Sequence, residues 1–239
     1  MIRFNNIQTE AFFLDLDDTI LAYSSLQNEA WQKTVEQLSI PENLGKELVK
    51  AINEENTTFW YRGNNATYRL NLNEARKIIV SRSLKKVGTI DEKLIPELVE
   101  TFSNIRESMV HLFAGALETL QRMRDLDVHM ILITNGASEA QRAKIKKFSL
   151  DGYFDHIIIE GEVGFGKPSR EIFERALSLA SCNAKDAWMI GNDLFADIEG
   201  AKGAGINTVY INTQMNSEDS LSEYADLMVP SISDLKRYL

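Results

Sequence analysis

Two aspartates one residue apart, Asp15 and Asp17, follow a short apolar run and are themselves followed by Thr19. Because side chains at i and i+2 of a strand share one face, the two carboxylates should lie together where the strand gives way to a loop, unless the chain has already turned. Carboxylates that close repel each other, so one of them is protonated or a cation lies between them. The pattern therefore predicts a Mg²⁺ site with a nucleophile and an acid. A calcium loop of the EF-hand type is excluded, because its sixth and twelfth positions require Gly and Glu, and here they hold Ile20 and Leu26.

Short apolar runs elsewhere in the chain predict the strands that position these residues. Most of the runs are continuous rather than alternating in polarity, which is typical of parallel strands covered on both faces. Helical patterns lie between them, and Ser138 followed by Gln141 predicts a capping box at the start of one helix. Residues 22–113 show helical periodicity and no convincing strand. The predicted fold is a doubly wound α/β body with strands at 11–16, 128–134, 156–160, 187–191, 206–211 and 226–229.

Polar residues stand at the carboxyl ends of these predicted strands, where open α/β sheets bind their ligands. The first strand delivers the two aspartates, and the others lead into hydroxyl, amide, lysine and carboxylate groups that suit phosphoryl chemistry. These groups are Thr134-Asn135 after the second strand, Lys167-Pro168 after the third, and Gly191-Asn192-Asp193 with Asp197 after the fourth.

Composition narrows the class of protein. The chain has 239 residues, 44% hydrophobic and 26% charged, as in an ordinary globular protein. A net charge of −9 argues against a nucleic-acid groove, where basic residues cluster. No apolar stretch is long enough to span a membrane, the first residues lack the apolar core of a signal peptide, and Cys182 has no cysteine partner. We expect a cytoplasmic protein, monomeric or homodimeric, without nucleic-acid or membrane partners.

In order and spacing the four motifs resemble those of the haloacid dehalogenase-like hydrolase superfamily, and in particular its phosphatases with a helical cap. The resemblance implies a Rossmann-like core domain of residues 1–21 and 114–239, and a helical cap domain of residues 22–113. The chain passes between the two domains at residues 20–24 and 112–115, and these two segments would act as hinges. The implied substrate is a small phosphorylated metabolite, because a cap over the site leaves no room for a protein. A nucleoside monophosphate or a sugar phosphate is expected first, and phosphoglycolate next.

The resemblance also implies roles for the motif residues. Asp15 attacks phosphorus and becomes an aspartyl phosphate, and Asp17 serves as general acid and then as general base. Thr134, Asn135 and Lys167 bind the phosphoryl oxygens. Mg²⁺ is held by Asp15, by the main-chain carbonyl of Asp17 and by a carboxylate of the fourth motif.

The fourth motif departs from the commonest form, in which an aspartate directly follows the glycine. Asn192 occupies that place, so the metal ligand is Asp193 or the Asn192 side-chain oxygen. Because Mg²⁺ prefers charged oxygen ligands, Asp193 is the expected ligand, and Asp197 is expected to orient waters or Lys167.

Two other functions stay open on the sequence alone. Gly161, Gly166 and Lys167 spell most of a P-loop, which would make the protein an NTP-binding enzyme, although Pro168 stands where a Ser or Thr is required. A non-enzymatic phospho-acceptor module would gather similar residues, but it is compact and needs no second acid such as Asp17.

Overall fold

The computed structural model describes residues 2–5, 7–61, 65–88, 92–213 and 225–239. The chain divides into two compact units. One, the sheet unit, comprises Met1–Ala22 and Leu112–Leu239, and the other, the helical unit, comprises Tyr23–His111. No helix in the described ranges has the length and apolar character needed to cross a membrane.

The described residues form the following elements. The strands are β1 (Ile2–Phe4), β2 (Ile7–Thr9), β3 (Ala11–Leu14), β4 (Leu21–Ala22), β5 (His111–Leu112), β6 (His129–Thr134), β7 (His156–Ile159), β8 (Ala187–Gly191), β9 (Asn207–Ile211) and β10 (Leu227–Val229). The α-helices are α1 (Gln27–Gln37), α2 (Glu42–Tyr61), α3 (Asn65–Tyr68), α4 (Leu72–Lys86), α5 (Leu94–Met109), α6 (Ala116–Arg124), α7 (Ser138–Lys147), α8 (Glu160–Val163), α9 (Arg170–Ala180) and α10 (Gly200–Gly203).

Six strands form one parallel sheet in the order β10–β9–β8–β3–β6–β7. The chain runs from β3 through β6 to β7 on one side, then returns to build β8, β9 and β10 on the other. β3 therefore lies at the point where the strand order reverses, and the crevice beyond its carboxyl end is where such sheets bind ligands. The predicted Rossmann-like doubly wound sheet is confirmed.

Both faces of this sheet are covered, as the continuous apolar runs predict. Alternate residues of β3, such as Ala11 and Phe13, pack with Ile172 and Phe173 of α9 on one face. Phe12 and Leu14 point to the other face and are equally buried. Replacing a buried phenylalanine of this kind by alanine costs about 3–5 kcal/mol, so the strand that carries the site is firmly held.

The helical unit has a core of its own, built from α1, α2, α4 and α5. The rings of Trp31 and Phe102 stack within it at a centroid distance of 3.9 Å and an interplanar angle of 11°.

Two pairings between short strands were not expected from the sequence. β1 pairs with β2 as an antiparallel hairpin, and β4 pairs with β5.

Candidate active site

Three neighbouring strands bring the predicted residues to one edge of the sheet. β3 pairs with β6 on one side and with β8 on the other, and the three end at Leu14, Thr134 and Gly191. Asp15 directly follows β3, and its N–H donates to the carbonyl of Ile190 in β8 at 2.9 Å. Asp15 therefore continues the line of the strand between the two neighbouring strand ends.

Asp17 lies beyond the strand rather than on it. β3 ends at Leu14, and Asp18 adopts a φ of 62°, so the chain turns within the motif. The Asp18 N–H closes this turn by donating to the Leu21 carbonyl at 2.6 Å. The chain therefore turns at the motif instead of continuing the strand, which is the alternative that the sequence left open, and the predicted end of the strand at residue 16 is wrong by two residues.

Lys167 is the buried cation at the centre of the site. Its Nζ lies 2.6 Å from Oδ1 of Asp15 and 2.6 Å from Oδ1 of Asp197. Only 2% of Lys167 and 1% of Asp197 is exposed. Burial by itself lowers the pKa of the Lys167 ammonium, but Asp15 and Asp197 outweigh this and raise it above its ordinary value. The lysine therefore stays charged, which is what binding a phosphoryl group requires.

The surroundings of the Asp15 carboxyl group disfavour its charged form. Burial raises its pKa to about 7, Lys167 opposes the rise, and Asp197 and Asp17 add to it. A buried carboxylate with other carboxylates nearby is stabilised by any further cation that approaches it.

Asn135 holds the backbone of Lys167 in place. Its Nδ2 donates to the Lys167 carbonyl, and its Oδ1 accepts from the Lys167 N–H, each at 2.8 Å. Both ends of the side-chain amide are thus bonded to Lys167. A contact between Asn135 and phosphate stays a prediction.

Asp17 is held by two residues of α7 that the sequence analysis did not place in the site. Lys144 Nζ lies 2.7 Å and 2.6 Å from the two carboxylate oxygens, and Gln141 Nε2 donates to Oδ2 at 3.1 Å. The same Gln141 nitrogen lies 2.7 Å from the Thr134 hydroxyl and 2.6 Å from the Asn135 carbonyl. Gln141 therefore ties the acid of the first motif to the second motif.

The predicted capping box at Ser138 and Gln141 is wrong. The residue before α7 is Ala137, and Ser138 lies inside the helix with its hydroxyl donating to Glu162 at 2.7 Å. Gln141 is 3% exposed and faces the site instead of the helix terminus. Helical spacing could have shown that Gln141 and Lys144 share a face, since they are three residues apart, but not what that face meets.

The two candidate residues of the fourth motif face different surroundings. Asp193 is exposed, and its Oδ1 accepts from the N–H groups of Phe195 and Ala196 at 2.9 Å and 2.8 Å, as a helix cap does. Asn192 is half-buried, and its Oδ1 accepts from the Thr19 hydroxyl at 3.2 Å. The Asn192 oxygen is therefore the one that lies beside the loop carrying Asp15 and Asp17.

Asp197 fits against a glycine that admits no side chain. A Cβ built on Gly191 would lie 2.2 Å from Asp197 Oδ2. That same oxygen accepts from the Asp193 N–H at 3.0 Å, and the other carboxylate oxygen faces Lys167. Asp197 is thus placed to orient Lys167, as predicted for it, although its role in the reaction stays a prediction.

The donors around Asp15 suit a hard divalent cation. Mg²⁺ is a hard cation that binds oxygen, and aspartate carboxylates, main-chain carbonyls and an asparagine oxygen are all present here. Within the described ranges, no cluster of three or more His, Cys, Asp and Glu side chains is arranged to hold a metal by itself. A site here would therefore combine one or two side chains with a main-chain oxygen, as the sequence predicts.

The P-loop alternative fails on the geometry of its glycines. A P-loop cradles phosphate with backbone N–H groups, but here the Gly161 N–H donates to the Gly136 carbonyl and the Gly164 N–H to the Glu160 carbonyl. Gly161 also lies within helix α8, and Lys167 is committed to two carboxylates.

Comparison with known proteins agrees with this arrangement. Residues 12–211 match the family model described as haloacid dehalogenase-like hydrolase. The chain is 29% identical over 238 residues to a glyceraldehyde 3-phosphate phosphatase of Pyrococcus furiosus, covering 96% of this chain and 92% of that protein. It is 31% identical over 144 residues to a phosphoserine phosphatase of Thermus thermophilus, covering 60% and 57%.

A solved structure shares the fold over nearly the whole chain. The crystal structure of the HAD-hydrolase YfnB from Bacillus subtilis, bound to magnesium, matches with a TM-score of 0.75 at 22% identity, covering 96% of this chain and 98% of that one. That structure is described as revealing interdomain movement.

Proposed function

The chain belongs to the haloacid dehalogenase-like hydrolase family, and from this membership we propose that it is a Mg²⁺-dependent phosphatase of small phosphomonoesters. The observation that carries the proposal is the buried charge cluster at the end of β3. A carboxylate, a permanently charged lysine and a second acid are gathered there, and hydrolysis through a covalent intermediate needs all three.

The proposed reaction has two steps. In the first, the Asp15 carboxylate attacks phosphorus, the bond from phosphorus to the leaving oxygen breaks, and Asp17 gives its proton to that oxygen. In the second, water attacks the aspartyl phosphate, Asp17 takes a proton from the water, and phosphate leaves with Asp15 restored. Lys167 and the Thr134 hydroxyl are proposed to bind the phosphoryl oxygens, on which charge spreads in the transition state.

The proposed metal ligands are Asp15, the main-chain carbonyl of Asp17 and the Asn192 side chain. Mg²⁺ bound there would neutralise charge between the phosphoryl group and the nucleophile. We choose Asn192 over Asp193, which the sequence favours, because the Asn192 oxygen lies beside the Asp15 loop and the Asp193 carboxylate caps a helix.

The helical unit is proposed to work as a cap, with the crossings at residues 20–24 and 112–115 as hinges. Closure would exclude water until substrate is bound, and opening would release the products. The interdomain movement described for the YfnB structure supports this proposal.

The substrate is proposed to be a small phosphorylated metabolite. The relatives are named for glyceraldehyde 3-phosphate and phosphoserine, which are both short phosphomonoesters. This favours a sugar phosphate or phosphoglycolate over a nucleoside monophosphate. A screen of the purified protein against a panel of phosphorylated metabolites would rank these classes.

The proposal is tested by replacing the nucleophile. Asp15→Asn should abolish hydrolysis of p-nitrophenyl phosphate while circular dichroism shows an intact fold. Asp125→Asn is the matched control, because Asp125 is an exposed aspartate of the sheet unit that follows α6, and its carboxylate accepts a hydrogen bond from the Gln121 side chain of that helix. EDTA should stop the wild-type reaction and added Mg²⁺ should restore it. Activity that survives Asp15→Asn or the chelator would overturn the assignment.

A further inference from the structure

The helical unit contains a cavity that the proposed chemistry does not use. Its volume is about 490 Å³, within the range of small-molecule sites in proteins. Helices α1, α2, α4 and α5 and the stretch before α1 contribute its walls. Every residue that lines it belongs to the helical unit, so it is a property of that unit alone.

Two arginines line this cavity, and both lie close to the same aromatic ring. The guanidinium carbon of Arg76 is 5.3 Å from the centroid of Phe102, and that of Arg106 is 5.7 Å from it. The Phe102 ring stacks on that of Trp31, which also lines the cavity. The stacked rings thus form an apolar part of the cavity wall close to two cations.

Arg106 is a buried cation without a carboxylate partner in the cavity wall. It is 8% exposed, its guanidinium lies 3.7 Å from the Tyr23 ring centroid, and its Nη2 donates to the Tyr23 carbonyl at 3.2 Å. Its Nε has no hydrogen-bond partner among the described residues. No aspartate or glutamate is among the residues lining the cavity, all of which lie in the described part of the chain. Buried charges are ordinarily paired, and no carboxylate of the cavity wall pairs with this one.

The two side chains that accept hydrogen bonds from the Arg76 Nη1 are neutral. This nitrogen donates to the Asn73 side chain at 3.0 Å and to the Ser103 hydroxyl at 2.9 Å. Burial and, to a smaller extent, Arg106 lower the pKa of the Arg76 guanidinium, while Tyr23 and Glu107 raise it. An anion bound by the two arginines would offset the cost of burying their charges and would reduce the repulsion between them.

The rest of the polar lining is neutral. Asn28, Asn53 and Asn56 face the cavity, with Asn53 Nδ2 donating to Asn28 Oδ1 at 2.7 Å and Trp60 Nε1 donating to Asn56 Oδ1 at 3.1 Å. Asparagine both donates and accepts hydrogen bonds, which suits hydroxyl groups.

We propose that this cavity binds a small hydroxylated organic acid, with its carboxylate held by Arg76 and Arg106 and its hydroxyl groups by the asparagines. Arginine suits this task because its planar fork matches a carboxylate with two parallel hydrogen bonds. The acid could come from two sources: a free organic acid, or the acid group of a phosphomonoester substrate. The second source rests on the proposed phosphatase function, whereas binding in the cavity does not.

The first experiment measures binding directly. Trp31 and Trp60 line the cavity, so tryptophan fluorescence reports on its occupancy. The purified protein is titrated with glycolate, glycerate, gluconate and glucuronate, each beside a neutral counterpart such as glycerol or sorbitol. We expect saturable binding of at least one acid and none of its neutral counterpart. Absence of saturable binding for every acid, by fluorescence and by calorimetry, would overturn the proposal.

Matched arginine variants locate the site. Arg76→Gln should weaken binding of the acid at least tenfold. Arg82→Gln is the control, because Arg82 lies on the same helix, is exposed, and contacts the Phe59 ring at 5.8 Å outside the cavity lining. Arg106→Lys is a second test, read together with its unfolding curve, since Arg106 also packs on Tyr23. Equal weakening by Arg76→Gln and Arg82→Gln would contradict the assignment.

A kinetic arm separates the two sources of the acid. If the acid group belongs to the substrate, Arg76→Gln should raise the KM for phosphoglycolate about tenfold and leave the KM for p-nitrophenyl phosphate unchanged. If the acid is a separate ligand, Arg76→Gln should weaken its binding at least tenfold and change neither KM. A protein with no phosphatase activity would refute the proposed function, and the binding titration would still decide the cavity.

Discussion

Gly191→Ala should disable the site by displacing one carboxylate. The added Cβ would lie 2.2 Å from Asp197 Oδ2, 2.4 Å from its Cγ and 2.6 Å from its Cβ. Close-packed interiors do not accommodate contacts this short, so Asp197 must move by roughly 1 Å. Asp197 has little room to do so, because Lys167 holds one of its oxygens at 2.6 Å and the Asp193 N–H holds the other at 3.0 Å.

The expected loss of stability follows from the burial of the Lys167–Asp197 ion pair. The side chains of Lys167 and Asp197 are 2% and 1% exposed, so their separation breaks a buried ion pair rather than a surface one. Breaking a buried pair costs about 3–5 kcal/mol, and partial retention of the contact brings the expected loss to roughly 2–4 kcal/mol. Because Asp197 holds Lys167, we expect a displacement of about 1 Å to lower kcat by about 100-fold.

Gly203→Ala supplies the matched control for this substitution. Gly203 lies in helix α10, and a Cβ built on it meets nothing within 4 Å. Alanine in a helix should be neutral or stabilising by about 0.5–1 kcal/mol. Urea unfolding measures stability, and p-nitrophenyl phosphate hydrolysis measures kcat. A Gly191→Ala variant with wild-type kcat and a wild-type urea midpoint would refute the described packing of Asp197.

Two further predictions concern the metal and the acid. Asn192→Asp should bring a charged oxygen to the proposed Mg²⁺ site, so the rise in melting temperature with added Mg²⁺ should reach half-maximum at a lower Mg²⁺ concentration. Asp193→Asn should leave that concentration unchanged. The reverse pattern would assign the ligand to Asp193. Lys144→Met removes the cation that holds Asp17, so hydrolysis of an alkyl phosphate, whose leaving group needs a proton, should fall about tenfold more than that of p-nitrophenyl phosphate. Lys146→Met, an exposed position on the same helix, should affect both substrates equally if at all, and an equal loss for both substrates with Lys144→Met would contradict the positioning role.

The sheet and its active edge could be predicted because they depend on local patterns. Continuous apolar runs mark the parallel strands, and each motif residue directly follows such a run, so the topology of an open sheet brings them together. The hairpin of β1 and β2 was missed because each strand has only three residues, too few for a period to be visible.

The residues that the sequence could not place are those whose partners are distant in the chain. Gln141 contacts Asp17 across 124 positions and Lys144 across 127, so no spacing rule connects them. Ser138 and Gln141 match the pattern of a capping box, and this local interpretation gave no reason to expect the contact of Gln141 with Asp17. Likewise, Asn192 and Asp193 are adjacent, and only the turn after β8 determines which of them faces the Asp15 loop.

The balance of charge supports the proposal that this site binds a cation in addition to its lysines. When all are ionised, the three carboxylates of Asp15, Asp17 and Asp197 outnumber the two ammonium groups of Lys144 and Lys167, so these five side chains carry one excess negative charge. Acidic residues also outnumber basic ones in the whole chain by 35 to 26. A phosphomonoester dianion would be repelled by such a surface, and the repulsion is strongest where the groups are buried. A divalent cation reverses the sign of the cluster, which is the physical reason to expect that hydrolysis stops when Mg²⁺ is removed.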